Sequence, residues 1–196
     1  SDESIFFVGN TMIDTLIANL NKLRAPEIYE KHQLTTGGYW VMTLHRPSNV
    51  DETNKLLGLL NLIAENAGDK SVVFPVHPRT ANTLKDLGEL PSNIVFTDPL
   101  PYLEFMYLVK NAAAAVTDSG GIQEETTYLG IPCITLRENT ERPETVSVGS
   151  NVLCGFNPDL MKRAFNDLNS GNWKTGRIPK LWDGKAAERI VEAILK

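Results

Sequence analysis

Residues 112–137 read AAAAVTDSGGIQEETTYLGIPCITLR, and their order decides the fold. An apolar run (112–118) ends on Thr117-Asp118, and Ser119-Gly120-Gly121 follow at once. Residues 120–130 then carry a helix-like pattern, and a second apolar run spans 132–137. The same alternation extends in both directions. The run 39–44 precedes a helical stretch, 51–66, in which Leu56, Leu59, Leu60 and Ile63 recur at helical spacing and Asp51 is the expected N-cap. Runs at 71–76, 93–97 and 151–155 precede helical stretches at 80–88, 102–112 and 157–169. The runs are continuously apolar rather than alternating, as in strands covered on both faces. The pattern predicts an α/β fold: a Rossmann-like, doubly wound parallel sheet of about six strands.

The two ends are less regular. Residues 11–23 predict an amphipathic helix before the first strand. Residues 183–196 predict another, with Ile190, Val191 and Ile194 on one side. Between them and the sheet, 170–182 is loop-like and holds Trp173 and Trp182. The expectation is one domain, 1–196, with helical appendages.

Composition sets outer limits. The 196 residues are 42% hydrophobic and 22% charged, which is ordinary for a globular domain. A net charge of −5 argues against a nucleic-acid or anionic-membrane partner, which calls for a basic surface. Cys133 and Cys154 lie in apolar runs without metal-ligand spacing, so reduced core thiols are expected. The acidic residues do not cluster as a metal site, and no metal or cofactor is expected. No apolar run has the length of a membrane span and no signal-peptide core is visible, so the expected location is cytoplasmic.

Ligands of doubly wound sheets bind outside the carboxyl ends of the strands. The segments there are HRPSN (45–49), HPRT (77–80), DPLPY (98–102), DSGG (118–121) and RENTERPE (137–144). A helix start has unpaired N–H groups and partial positive charge, and Gly120 and Gly121 let an anion reach the backbone. Ser119 can cap that helix or give its hydroxyl to the same anion. Glu125 lies one helical turn past Gly121 and can accept hydrogen bonds from hydroxyls beyond a phosphate, as acids do with ribose. Glu124 is expected to face solvent.

Arg142 can neutralise a diphosphate or pair with Glu141 or Glu144. His45 follows the first strand as a candidate proton donor or phosphate ligand, with Arg46 beside it. His77 and Arg79 flank Pro78 in a rigid loop, where a structural role is the leading reading. Leu100, Tyr102 and Phe105 offer surface for a planar base, although core packing explains Tyr102 equally well.

TDSGGIQEE, LGIP and TERPE, with HRPSNVD, VHPRT and an early VGNTMID, resemble the non-hydrolysing UDP-N-acetylglucosamine 2-epimerases. The resemblance covers essentially the whole chain. It corresponds to the C-terminal, nucleotide-binding half of a two-domain GT-B architecture. It implies reversible inversion at C2 of the sugar, by elimination of UDP from C1 and re-addition. It implies that Ser119, Gly120, Gly121 and Arg142 hold the diphosphate, Glu125 the ribose, and Leu100 with Phe105 the uracil. His45 matches the family's active-site histidine. Implied partners are a UDP-sugar, the N-terminal domain of the same enzyme, and a second copy in a full-length homodimer.

The sequence departs from the family in two places. No segment matches the carboxylates that act at C2, which belong to the N-terminal domain, so this chain alone is expected to be inactive. Pro47-Ser48-Asn49 stands where many bacterial members read Arg-Glu-Asn in a regulatory UDP-sugar site, which leaves allosteric control open. A stand-alone UDP-sugar-binding module, a GT-B glycosyltransferase and a hydrolysing epimerase are the other readings. The sequence upstream of Ser1 separates the first of these from the epimerase.

Overall fold

The computed structural model describes residues 4–195; Ser1–Glu3 and Lys196, the last residue of the expected terminal helix, lie outside the described residues. Six strands form one sheet: β1 (Tyr39–Thr43), β2 (Ser71–Pro75), β3 (Ile94–Thr97), β4 (Ala114–Thr117), β5 (Cys133–Thr135) and β6 (Asn151–Leu153). Helices α1 (Thr11–Asn19) and α2 (Glu27–Lys31) precede β1, and α3 (Pro47–Val50) and α4 (Thr53–Ala67) follow it. Then come α5 (Pro78–Leu84) after β2, α6 (Tyr102–Asn111) after β3, α7 (Gly120–Leu129) after β4 and α8 (Pro143–Ser147) after β5. The chain closes with α9 (Pro158–Asn169) and α10 (Ala186–Ile194).

All neighbouring strands pair in parallel, in the order β3-β2-β1-β4-β5-β6. The chain builds outward from β1 to β3, then returns to place β4 on the other side of β1. The order reverses between β1 and β4, and ligands bind at such a switch point. Thr43 is in register with Thr117 there, and their hydroxyls lie 2.7 Å apart. The residues that follow, His45 and Ser119, therefore leave the sheet side by side.

Continuous apolar strands are explained by a core on each face. In β1, Trp40 and Met42 join a cluster with Leu56, Leu60 and Ile63 of α4 and Phe165 of α9. Trp40 stacks on Phe165 with 5.6 Å between ring centres. Tyr39 and Val41 face the other way, toward Ile13 and Leu16 of α1 and Met106 and Val109 of α6. The buried Tyr39 hydroxyl donates to the carbonyl of Leu108 at 2.7 Å. Cys133 and Cys154 are buried free thiols, and burial pushes each up to about 11.

Several local expectations are corrected. Asp51 is not the N-cap of α4. That position falls to Glu52, without a side-chain bond: Asp51 closes α3 with helical φ and ψ, its N–H on the Pro47 carbonyl, and its carboxylate pairs with Arg79 at 2.9 Å. Helix α5 starts two residues early, since Pro78 suits a first helical position and His77 caps it. The apolar side of α10 is covered only in part: Ala186 is buried and Ile190 half-buried, while Val191 and Ile194 are exposed. The N-terminus of α10 is held by Asp14 of α1, whose carboxylate accepts from the N–H groups of Ala186 and Ala187.

Candidate functional site

The loops after β1 and β4 meet on one carboxylate. Asp118 is fully buried at the end of β4. Its oxygens accept from the backbone N–H groups of His45 (3.0 Å) and Arg46 (2.9 Å) and from Asn49 Nδ2 (2.8 Å). His45 Nδ1 lies 2.7 Å from the same carboxylate. Burial alone would raise this carboxyl; the bonds from His45 and Arg46 outweigh it, and the pKa is lowered. An ionised carboxylate is acceptor-only, so Nδ1 carries the hydrogen and Nε2 is the free nitrogen of His45. The Arg46 guanidinium is occupied structurally, with its Nε donating to the carbonyl of Asp118.

His45 opens onto a cavity of about 300 Å³ shared with Leu100, Phe105, Ser119, Ile122 and His77. The sheet order thus brings His45, the start of α7 and the Leu100–Phe105 turn to one place. His77 Nδ1 accepts from the N–H of Arg79, and its ring lies 5.9 Å from that of His45. Arg46 and Arg79 border an adjoining cavity with both histidines.

The start of α7 follows β4 directly. Ser119 occupies the N-cap position but does not cap; its N–H donates to Thr117 Oγ1. Gly120 and Gly121 do not have positive φ, so backbone conformation does not demand glycine there. A β-carbon at Gly120 would meet no described atom within 4 Å, and one at Gly121 only the end of the Met12 side chain, at 3.3 Å. Packing does not demand glycine either.

Helix α7 is mostly polar yet buried from Ile122 to Thr127. Gln123 is fully buried: its Oε1 accepts from Thr140 Oγ1 (2.7 Å), and Thr140 Oγ1 accepts from the N–H of Arg142. Arg137 grips Glu141 through its two terminal guanidinium nitrogens, at 2.8 and 2.6 Å. Together these contacts fix the loop that carries Arg142.

Glu124 overturns the solvent-facing expectation. It is buried, accepts from Asn10 Nδ2 at 2.6 Å, and lies 2.6 Å from Arg142 Nε. The Arg142 contact is close but outside hydrogen-bonding geometry, so it is an ion pair without a directed bond, and Glu124 Oε2 has no partner. Burial raises the Glu124 carboxyl, while Asn10 and Arg142 oppose that rise. Arg142 therefore does not share the His45 cavity. It lines a neighbouring cavity of about 640 Å³ beside the start of α1.

Glu125 is also buried, and the Tyr102 hydroxyl donates to its Oε1 at 2.9 Å. Burial pushes this carboxyl up to about 7; the Tyr102 bond lowers it and the Glu124 charge adds to the rise. Asp118, Gln123, Asn49 and the hydroxyl of Tyr102 were not singled out in the sequence. An acid closing an apolar strand was the available signal for Asp118. Among the described residues, no group of three or more His, Cys, Asp or Glu side chains could hold a metal ion. No helix of the described residues is long and apolar enough to cross a membrane.

The family model for UDP-N-acetylglucosamine 2-epimerase matches residues 1–195. A UDP-N-acetylglucosamine 2-epimerase of Methanococcus maripaludis is 44% identical over 207 residues, covering 99% of this chain and 55% of the relative. That of Methanocaldococcus jannaschii is 40% identical over 205 residues, covering 98% and 55%. A solved structure of the Methanocaldococcus jannaschii UDP-GlcNAc 2-epimerase in complex with UDP-GlcNAc and UDP superposes with a TM-score of 0.82 at 38% identity. The alignment covers 100% of this chain and 56% of that one. The chain spans about half the length of the relatives it matches.

Proposed function

The chain belongs to the UDP-N-acetylglucosamine 2-epimerase family, and from that premise we propose that it is the UDP-binding domain, residues 1–196, of such an epimerase. The observation that carries this is the switch point. There His45, the open N-terminus of α7 and the Leu100–Phe105 wall share one cavity.

In this reading uracil lies against Leu100 and Phe105, and ribose hydroxyls donate to Glu125. The diphosphate sits at Ser119, Gly120 and Gly121, with Arg142 reaching it from the side. The substrate is UDP-N-acetylglucosamine or its C2 epimer, UDP-N-acetylmannosamine. When the C1–O bond breaks, negative charge develops on the leaving diphosphate. The helix N-terminus and Arg142 stabilise that charge where it appears, which lowers the barrier to departure and to re-addition. His45 presents Nε2 to the cavity while Asp118 holds Nδ1, so the ring can donate or accept a proton at one defined atom.

The carboxylates that move the C2 proton come from the N-terminal domain of the whole enzyme, which works as a homodimer in the cytoplasm. Alone, this chain binds UDP weakly and turns over no sugar. Titration calorimetry with UDP tests the site: saturable heat is expected, and no heat at millimolar ligand overturns the reading.

A further inference from the structure

Glu125 is about 96% buried, with 4% relative exposure, and among the described residues the Tyr102 hydroxyl is its one side-chain donor. An ionised carboxylate has about four acceptor positions, and Tyr102 fills one of them. If this pair only tied α6 to α7, a glutamine would accept the same hydroxyl without a buried charge. The ionisable group makes sense where a second, stronger set of donors arrives.

Tyr102 is placed to yield to such donors. It is the first residue of α6, directly after Pro101, and it is partly exposed. Phe105 lies one turn further along α6, and Ile122 one turn before Glu125 on α7; both line the His45 cavity. The Tyr102–Glu125 bond thus spans the two helices whose residues wall the proposed nucleoside position.

We propose that Tyr102 is an internal stand-in for ribose: its hydroxyl fills Glu125 in the free chain and is exchanged for a ribose hydroxyl when a uridine nucleotide binds. The inference rests on the nucleotide reading above and adds a specificity-determining residue to it. The exchange keeps the buried carboxylate partnered in both states. It also means that ribose gains only the difference between its own hydrogen bonds and the one Tyr102 gives up. A ligand without ribose hydroxyls leaves the Tyr102–Glu125 pair closed.

The test is calorimetric titration of the chain and of Tyr102→Phe with UDP and with its 2′,3′-dideoxy analogue, which lacks both hydroxyls. The measurements are made at pH 9, where Glu125 is ionised. Removing the phenol hydroxyl removes the bond that must be surrendered, so Tyr102→Phe should bind UDP several-fold more tightly. Its affinity for the dideoxy analogue should match that of the parent chain. Unchanged or weaker UDP binding overturns the exchange. An equal gain for both ligands also overturns it, because that pattern means steric relief. If the parent chain binds no UDP, the nucleotide site itself is lost and the exchange with it; a UDP-binding chain with no response at Tyr102 loses only the exchange.

Discussion

His45 and Asp118 are 73 residues apart in sequence, yet Nδ1 of the imidazole lies 2.7 Å from the buried carboxylate. The contact exists because β1 and β4 are neighbours at the point where the strand order reverses. Replacing Asp118 with Asn puts an amide N–H₂ among donors that need an acceptor. We expect Asp118→Asn to cost about 2–4 kcal/mol of stability in denaturant unfolding. Nitrogen chemical shifts of His45 should show loss of the single Nδ1–H tautomer. A variant that keeps both stability and tautomer removes Asp118 from this role.

Glu125 predicts an unusual pH dependence. Its pKa in the folded chain is raised to about 7 from 4.5. The folded state therefore binds more protons than the unfolded state between those values, and the contribution of Glu125 to stability falls as pH rises through that window. Glu125→Gln should leave stability near the parent value at pH 4.5. The variant should become the more stable protein by roughly 2–3 kcal/mol above pH 7. Thermal unfolding across pH checks this, and a gain independent of pH contradicts it.

Gly120 is required by neither backbone conformation nor neighbouring atoms. Gly120→Ala should fold with stability unchanged or raised by up to about 1 kcal/mol. Its affinity for UDP should fall at least about tenfold, since the added methyl covers the helix N–H groups. Unchanged UDP affinity would mean that the phosphates lie elsewhere.

Arg142 separates phosphate from nucleoside recognition. Arg142→Ala should weaken UDP about 10- to 100-fold and leave uridine nearly unaffected, as expected for charge-assisted bonds to a diphosphate. Competition titrations with both ligands measure the ratio. Equal losses would place Arg142 outside the phosphate site and leave it as the counter-ion of Glu124.

The sheet was legible in the sequence because each strand between two helical layers is a continuous apolar run. Tyr39, Trp40, Val41 and Met42 are all buried, on alternating faces. The glycines at 120 and 121 were legible as an open helix start because they follow a strand directly. Glu124 was misread because a glutamate on a polar helix is ordinarily solvated; α1 and the Arg142 loop cover it here. Asp51 was misread because Pro47 starts a short helix one turn earlier, and Asp51 closes that helix instead of opening α4.

The sequence by itself determined the alternation of strand and helix and the identity of the loops at the strand ends. These depend on the local period of apolar residues and on turn chemistry, both written in consecutive positions. Only the tertiary structure decided which loops meet. The order β3-β2-β1-β4-β5-β6 sets Asp118 under His45, and the packing of α6 on α7 gives Tyr102 to Glu125. Those contacts join residues distant in sequence. They follow from how the whole sheet minimises exposed apolar surface, which no local stretch of the chain encodes.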